Sequence, residues 1–314
     1  PLNYQAGGML QLATAGQSIF LRTPVDDMLV GSIAAGNLVR LYAPLGSILA
    51  TNQNAGLTIR GHDIVLNAAR DLGMAANPLR ISTGDMMASG VFGGSAGGDI
   101  HVYGPNFADR LTIGALSAGG KIELGAAGAL TANSLTAGGA IAIRAGDTTV
   151  GAASGSDILF AAGGDLTLGH VVSRDGIRTS SDGVTRVEDE LEAGNGVEIS
   201  AAALDMAAGS SINAGTTLGI STTAGNAVLA RVSGATVDIK AVGRILAAQA
   251  GINVLATGIP GQGGALTLRS LGAAGGIGEA GGMLGIRAAG LAVRTASGDL
   301  HLDLWGNTRA SLVE

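Results

Sequence analysis

The sequence is poor in several residue types that most folded proteins use, and each shortage excludes a class of structure. No cysteine occurs among its 314 residues, so neither disulfides nor thiolate metal sites contribute. It has only six prolines and no glycine at every third position, which excludes collagen. Its net charge of −6 argues against a nucleic-acid-binding protein, which would carry a basic stripe. An apolar share of 46% argues against disorder.

The chain also lacks a long continuous apolar run. Three stretches carry no charge, at residues 124–143, 206–230 and 245–268, but Gly, Ser, Thr or Asn interrupts each of them every few residues. They are therefore not membrane-spanning helices. No signal peptide opens the chain, which starts at Pro1 in the middle of a repeated phrase. We therefore expect a fragment of a longer protein.

Glycine, by contrast, is abundant. It accounts for 54 of the 314 residues, more than twice its usual share of roughly 7%. Many of these glycines belong to one repeated phrase, a small residue and two glycines followed by an apolar–x–apolar triplet. The phrase reads AGGKIEL at 118–124 and returns at 96–102, 137–143 and 162–168. A phrase that repeats along a chain indicates one structural unit that repeats along an axis.

Apolar–x–apolar triplets recur along most of the chain, as in Val197-Glu198-Ile199 and Leu266-Thr267-Leu268. This alternation predicts short strands with the middle residue facing solvent. The double glycine returns about every 20 residues, at Gly97, Gly119 and Gly138. We therefore predict an all-β fold, a right-handed parallel β-helix (β-solenoid) of about 20 residues per coil, forming a single rod over 1–314. We expect the glycines to form the corners, often through positive φ.

The strongest break in this rhythm lies at residues 173–192, where nine of twenty residues are charged. We predict a loop or hairpin that leaves the rod at one corner. Its charged residues are a possible partner-contact site, and they are Arg174, Arg178, Arg186, Glu188, Asp189, Glu190 and Glu192. One interpretation is a cation or sugar site. The other is a solvated loop whose charges neutralise one another.

Two ten-residue passages, at 72–81 and 277–286, align without gaps and indicate a longer repeat. The first, LGMAANPLRI, and the AGGxIxI phrases together resemble the shaft of filamentous-haemagglutinin-like secreted exoproteins, the adhesins of bacterial two-partner secretion systems. The resemblance covers most of the chain outside 173–192. It implies a fibre secreted by, or displayed on, a Gram-negative bacterium, with roles in cell adhesion and virulence. It also implies an outer-membrane two-partner-secretion transporter as a partner.

The function that we predict is a non-catalytic structural shaft segment that displays binding elements outside the cell. The expected partners are a receptor or glycan on a host or bacterial surface and further β-helical segments at both ends, with no nucleic acid. No catalytic, cofactor or metal site is predicted. The alternatives are a β-helical polysaccharide lyase or hydrolase, which needs converging acids and bases, and a glycan-binding module.

Two further sets of residues are of a type that can form sites. The four histidines, His62, His101, His170 and His301, are too scattered in sequence to suggest zinc, and His101 and His301 are expected at the surface. Apolar residues at outward positions indicate either a local register shift or a lateral contact patch, and they are Phe20, Val65, Leu159 and Leu229.

Overall fold

A computed structural model describes residues 2–3, 9–10, 13–51, 56–84, 90–105, 110–258, 264–306 and 308–313. These residues form strands and turns with no helix, and the parallel sheets stack as a β-solenoid of about 14 turns of roughly 20 residues each. The predicted β-solenoid is thus confirmed. The chain divides into two compact units, Pro1–Ser156 and Asp157–Glu314, each of which is described by itself.

The described residues of the first unit form eighteen short strands. In chain order they are β1 (Leu2–Asn3), β2 (Met9–Leu10), β3 (Ala13–Ala15), β4 (Ile19–Arg22), β5 (Met28–Val30), β6 (Ile33–Ala35), β7 (Leu38–Ala43), β8 (Ile48–Ala50), β9 (Ile59–Gly61), β10 (Asp63–Ala68), β11 (Leu79–Thr83), β12 (Phe92–Ala96), β13 (Ile100–Gly104), β14 (Leu111–Ala118), β15 (Ile122–Ala126), β16 (Leu130–Ala137), β17 (Ile141–Ala145) and β18 (Thr148–Gly155). Most of them pair in parallel with the equivalent strand of the next turn, as β13 does with β15 and β15 with β17.

In the second unit, twenty strands lie within the part of the chain that the structure describes. They are β19 (Ile158–Ala162), β20 (Leu166–Ser173), β21 (Ile177–Ser181), β22 (Val184–Val187), β23 (Glu190–Ala193), β24 (Val197–Ala201), β25 (Ala203–Met206), β26 (Ser211–Ala214), β27 (Thr217–Thr222), β28 (Ala227–Leu229), β29 (Arg231–Gly234), β30 (Thr236–Ala241), β31 (Arg244–Ala247), β32 (Ile252–Ala256), β33 (Ala265–Ser270), β34 (Gly276–Ile277), β35 (Leu284–Arg287), β36 (Gly290–Thr295), β37 (Leu302–Leu304) and β38 (Arg309–Val313). A typical turn has three strands, such as β21, β22 and β23, and each lies beside its counterpart in the next turn.

The side chains of the apolar–x–apolar triplets alternate as predicted, with the two apolar residues in the core and the middle residue outside it. Ile122 and Leu124 are 1% exposed, whereas Glu123 between them faces outward. In the second unit, the first inward residue of successive strands forms an aliphatic column. Its members, at most 2% exposed, are Ile177, Val197, Leu218 and Val237. Each such side chain contributes about 1.5–3 kcal/mol by leaving water, and neighbouring turns share the contacts.

The glycine pairs lie at corners as predicted, but positive φ is not the reason for them. Of the described glycines, nine have positive φ, and Gly119 and Gly120 are not among them. A methyl group on Gly119 would instead overlap the carbonyl oxygen of Gly97 on the preceding turn. Glycine is needed here because adjacent backbones approach more closely than a Cβ allows.

The second glycine of the pair makes room for an acidic side chain. The Lys121 N–H donates to Asp99 Oδ1 on the preceding turn at 2.8 Å, and a Cβ on Gly120, just before Lys121, would overlap that same oxygen. We call this arrangement a corner latch: an Asp or Asn side chain accepts a hydrogen bond from a backbone N–H of the next turn, immediately after a glycine. Six latches are described, and the acceptors are Asp27, Asp63, Asp71, Asp99, Asp165 and Asn226.

The charged stretch at 173–192 is not an excursion, and that prediction is wrong. Its residues form most of one ordinary turn, with β21, β22 and β23 paired to strands of the next turn. The inward positions of this turn include Thr179, Ser181 and Thr185, so its core alternation is hidden among polar residues. The Ser181 and Thr185 hydroxyls lie 2.9 Å apart and bond each other, which offsets the cost of burying them.

The two similar passages are also similar in structure. Each begins with a buried residue, Leu72 or Ile277, followed by a glycine with positive φ. Each then closes a small antiparallel bridge, Met74 with Asn77 in one passage and Glu279 with Gly282 in the other. The sequence repeat therefore encodes the same short hairpin in both units.

The corner geometry predicts that Gly120→Ala lowers the free energy of unfolding by about 1–3 kcal/mol, because the new methyl overlaps the latch oxygen of Asp99. Gly219→Ala is the control, since a Cβ there meets nothing within 4 Å, and it should change stability by less than about 1 kcal/mol. Denaturant unfolding measures both. Equal losses in the two variants would contradict the close-approach explanation.

Because residues 173–192 form most of a regular turn, two deletions within this stretch should give different results. Removing 173–192 joins Val172 to Ala193, the register partner of Ser173, and so excises one complete turn. This variant should keep the β-rich circular dichroism spectrum and unfold cooperatively, with somewhat lower stability because one interface between turns is lost.

Removing only 183–192 should abolish cooperative unfolding, because it takes out β22 and nearly all of β23 while leaving β21 in place. A looped-out hairpin would tolerate both deletions. Cooperative unfolding of both variants would therefore favour the excursion over the turn.

Candidate functional site

The structure separates the seven charged residues predicted as a contact loop. Arg178 projects from β21, Arg186 from β22, and Glu190 and Glu192 from β23, and β21 belongs to a different sheet of the turn from β22 and β23. Arg174 lies in the turn before β21, and Glu188 and Asp189 link β22 to β23. They are thus spread around the turn and do not form one surface.

Several of these residues are paired with neighbouring turns. Arg186 Nη1 bonds Asp165 Oδ2 at 2.8 Å, and Arg178 Nε lies 3.7 Å from Glu198 Oε2. His170 Nδ1 lies 3.8 Å from Asp189 Oδ2. Exposed pairs of this kind contribute little, about 0–1 kcal/mol each.

The contacts of Asp165 perturb its titration. The hydrogen bond from Arg186 lowers the pKa of Asp165, and the backbone N–H of Val184 lowers it further. The hydrogen bond between Arg186 and Asp165 also raises the pKa of Arg186. Asp165 therefore takes part both in a corner latch and in an ion pair, and both contacts join it to the following turn.

Glu190 is held by amide and hydroxyl groups. Asn213 Nδ2 donates to Glu190 Oε1 at 2.9 Å, and Ser233 Oγ donates to Asn213 Oδ1 at 2.8 Å. These residues lie on β23, β26 and β29, so the hydrogen bonds run along one face across three turns. This polar ladder fixes side chains and stabilises the stacking of the turns.

Two expectations about outward residues need correction. His101 is 4% exposed, because its ring lies between Asp99, 3.8 Å away, and Glu123, 3.1 Å away. Leu229 is fully buried in β28, where Val228 occupies the outward position instead. Phe20 faces outward as expected and is 45% exposed.

A groove that sequence reasoning missed lies at a corner of the second unit. It encloses about 580 Å³ and is open to solvent. The residues that line it come from four successive turns, and they are Asp157, Asp175, Gly176, Ile177, Arg178, Asn195, Gly196, Val197, Glu198, Thr216 and Thr217. Polar side chains dominate its exposed surface.

Two glycines form the floor of this groove. Gly176 and Gly196 stand directly before β21 and β24, the position that Asp157 and Thr217 occupy in the flanking turns. A methyl group on Gly176 would lie 3.3 Å from Asp157 Oδ1, and one on Gly196 would lie 2.9 Å from Thr217 Oγ1. The two outer side chains therefore border a trough two turns wide.

Polar side chains flank the trough on both sides. Asp175, Asn195 and Thr216 occupy equivalent positions in successive turns on one side, linked by backbone bonds of 2.7 and 2.8 Å. Arg178 and Glu198 stand on the other side, and both are more than 70% exposed. Asp157, Asp175 and Glu198 against Arg178 leave the lining with a net negative charge.

A signal for this groove exists in the sequence. Asp175-Gly176 and Asn195-Gly196 occur 20 residues apart, one turn of the solenoid, directly before β21 and β24, where β13 and β15 are preceded by Gly98-Asp99 and Gly120-Lys121. A polar residue and a glycine at the same corner of consecutive turns indicate a polar trough. Fixing that register requires the strand pairing, which the sequence does not supply.

Comparison of the chain with protein-family models, with curated proteins and with solved structures finds no match in any of the three. The described residues form no helix long and apolar enough to cross a membrane. They also contain no three His, Asp or Glu side chains placed together as they would be around a metal ion.

The ion pair at Asp165 predicts an acid-dependent effect. The lowered pKa stabilises the fold at neutral pH, and that contribution is lost as the pH falls through the folded-state pKa of Asp165. Arg186→Gln should move this pKa upward toward its usual range, so the loss begins at higher pH. Carboxyl-carbon NMR titration measures the change.

Arg178→Gln serves as the control, because Arg178 pairs with Glu198 on another strand and should leave the Asp165 titration unchanged. The Val184 N–H bond remains in Arg186→Gln, so the shift should be partial. An unchanged Asp165 titration in Arg186→Gln would show that the arginine is not its main partner.

Proposed function

We propose that this chain is a non-catalytic shaft segment of an adhesin-like fibre, secreted by or displayed on a Gram-negative bacterium. The observation that carries the proposal is the use of the corner acids in the stacking of turns. Asp71, Asp99 and Asp165 each direct a carboxylate oxygen to a backbone N–H of the next turn at 2.8 Å. A carboxylate engaged in this way supports the length of the solenoid and is poorly placed for acid–base chemistry.

The sequence adds the extracellular part of the proposal. The AGGxIxI phrases and the passage at 72–81 resemble filamentous-haemagglutinin-like shafts, which are exported through an outer-membrane two-partner-secretion transporter. The small, cysteine-free and glycine-rich turns suit a chain that crosses a membrane unfolded and then folds turn by turn. The proposed partners are that transporter, further solenoid segments and a receptor or glycan on a cell surface.

Antibodies raised against the purified chain should label the outside of intact source cells or a protein in their culture medium. Flow cytometry of intact and permeabilised cells, with a cytoplasmic marker as control, distinguishes protein on the cell surface from protein inside the cell. Labelling that appears only after permeabilisation would overturn the extracellular placement.

A second measurement tests the absence of catalysis. Incubating the chain with acidic and neutral polysaccharides should release no new reducing ends or unsaturated products. Reproducible cleavage that disappears in Glu188→Gln or Glu190→Gln would instead favour a β-helical polysaccharide lyase or hydrolase.

A further inference from the structure

The corner groove of the second unit differs from the latched corners in having polar atoms without partners. Asp157 stands directly before β19, the position that Asp99 occupies before β13. Asp99 accepts the N–H of Lys121 on the next turn. Within the described residues, the side chains of Asp157 and Thr217 have no hydrogen-bond partner in the chain. Both border the trough and are exposed.

The spacing of these groups fits an extended ligand better than an ion. Equivalent residues of successive turns lie about 4.8 Å apart, so the positions from Asp157 to Thr217 span about 14 Å. Oxygens spread over this distance do not converge on one metal, and no such convergence is found among the described residues. They could instead meet a chain of polar groups that runs along the trough.

The chemistry of the lining selects the kind of ligand. Each carboxylate has two acceptor oxygens, and the Thr216 and Thr217 hydroxyls can donate or accept. The Asn195 amide donates one long bond of 3.5 Å to Asp175 Oδ1 and keeps its second N–H and its oxygen for a ligand. Arg178 adds donors at one flank. Such a mixture complements hydroxyl groups, which are themselves donors and acceptors. The net negative charge of the lining disfavours an acidic ligand.

We propose that this groove binds a short neutral oligosaccharide, laid across the turns from Asp157 to Thr217. The glycine floor at Gly176 and Gly196 lets a sugar ring approach the backbone, while the flanking rows hydrogen-bond its hydroxyls. The groove is open and buries few ligand atoms, so the dissociation constant should be on the order of 1 mM. Repetition of such sites on a fibre would raise the overall avidity.

This inference adds a ligand to the proposed shaft and depends only on the groove itself. Binding is measured on the purified chain, wherever the protein is displayed. If no binding is found, the proposal of an extracellular shaft still stands. If the protein is not found outside the cell, the proposal of a binding groove still stands.

The test is a titration of the isotope-labelled chain with cellotetraose, chitotetraose and mannotetraose, followed by NMR chemical shifts of its backbone amides. At least one of these probes should shift the amides of Gly176, Asn195 and Gly196, whereas acidic tetragalacturonate should shift them less. Absence of shifts with all three neutral probes, or stronger binding of the acidic one, would overturn the proposal.

Two variants and a matched control locate the site. Asn195→Ala removes hydrogen-bonding groups from one flank, and Gly176→Ala places a methyl group in the floor; each should weaken binding about tenfold. Gly290→Ala adds the same methyl group at the equivalent position three turns beyond Thr217, where nothing lies within 4 Å, and should bind like the unaltered chain.

Circular dichroism and thermal unfolding of each variant separate lost binding from lost folding. Unchanged affinity in both folded groove variants would place the ligand elsewhere. Binding that requires calcium and disappears with a chelator would show that the carboxylates hold a cation, contrary to the proposal.

Discussion

The close approach of successive turns at their corners is the constraint on which the structure depends. Parallel strands about 4.8 Å apart must be linked by corners that stack at the same spacing. Side chains at those corners would collide with the backbone of the turn below, as a methyl on Gly119 would with Gly97. Glycine removes the collision, and an acid such as Asp99 then fills part of the gap and bonds the next backbone N–H. Glycine and aspartate are thus two parts of one arrangement.

The same constraint explains how the turns tolerate polar cores and charged surfaces. Alternation assigns each wall residue to the inside or the outside, whatever its polarity. Thr179 and Thr185 fill inward positions of the most highly charged turn, where a β-branched side chain packs much as valine would. The charges of that turn alternate with them and point outward on different faces, where Arg178 and Arg186 meet carboxylates of adjacent turns.

The sequence was sufficient for the fold because the signals that specify it are local and repeated. The triplets gave the strands, and the return of the double glycine gave the turn length. The reason for the glycines could not be read in this way, since φ and backbone contact between turns are not visible in a single turn. The prediction of a loop at 173–192 is wrong because Thr179 and Ser181 occupy core positions but, being polar, interrupt the apolar alternation that indicates a strand. His101 was misplaced because Asp99 and Glu123, which enclose it, lie on either side only after folding.

The groove follows from the same rule about corners, applied where one component is missing. In a latched corner, the carboxylate of one turn accepts a hydrogen bond from a backbone N–H of the next turn. The residue before that N–H is a glycine, which leaves room for the carboxylate. Around the groove, Asp175 and Asn195 stand where the latched corner has Gly120. Gly176 and Gly196 follow them, and a methyl group on either would lie nearest a side-chain oxygen of a flanking turn, so their bare backbone forms the floor of a trough. Within the described chain, the Asp157 carboxylate accepts no bond from the next turn and the Thr217 hydroxyl has no partner, whereas Asn195 bonds Asp175 and Arg178 pairs with Glu198. The contact that joins two turns at a latched corner is therefore not made here, and the Asp157 carboxylate and the Thr217 hydroxyl are available to a ligand from solvent.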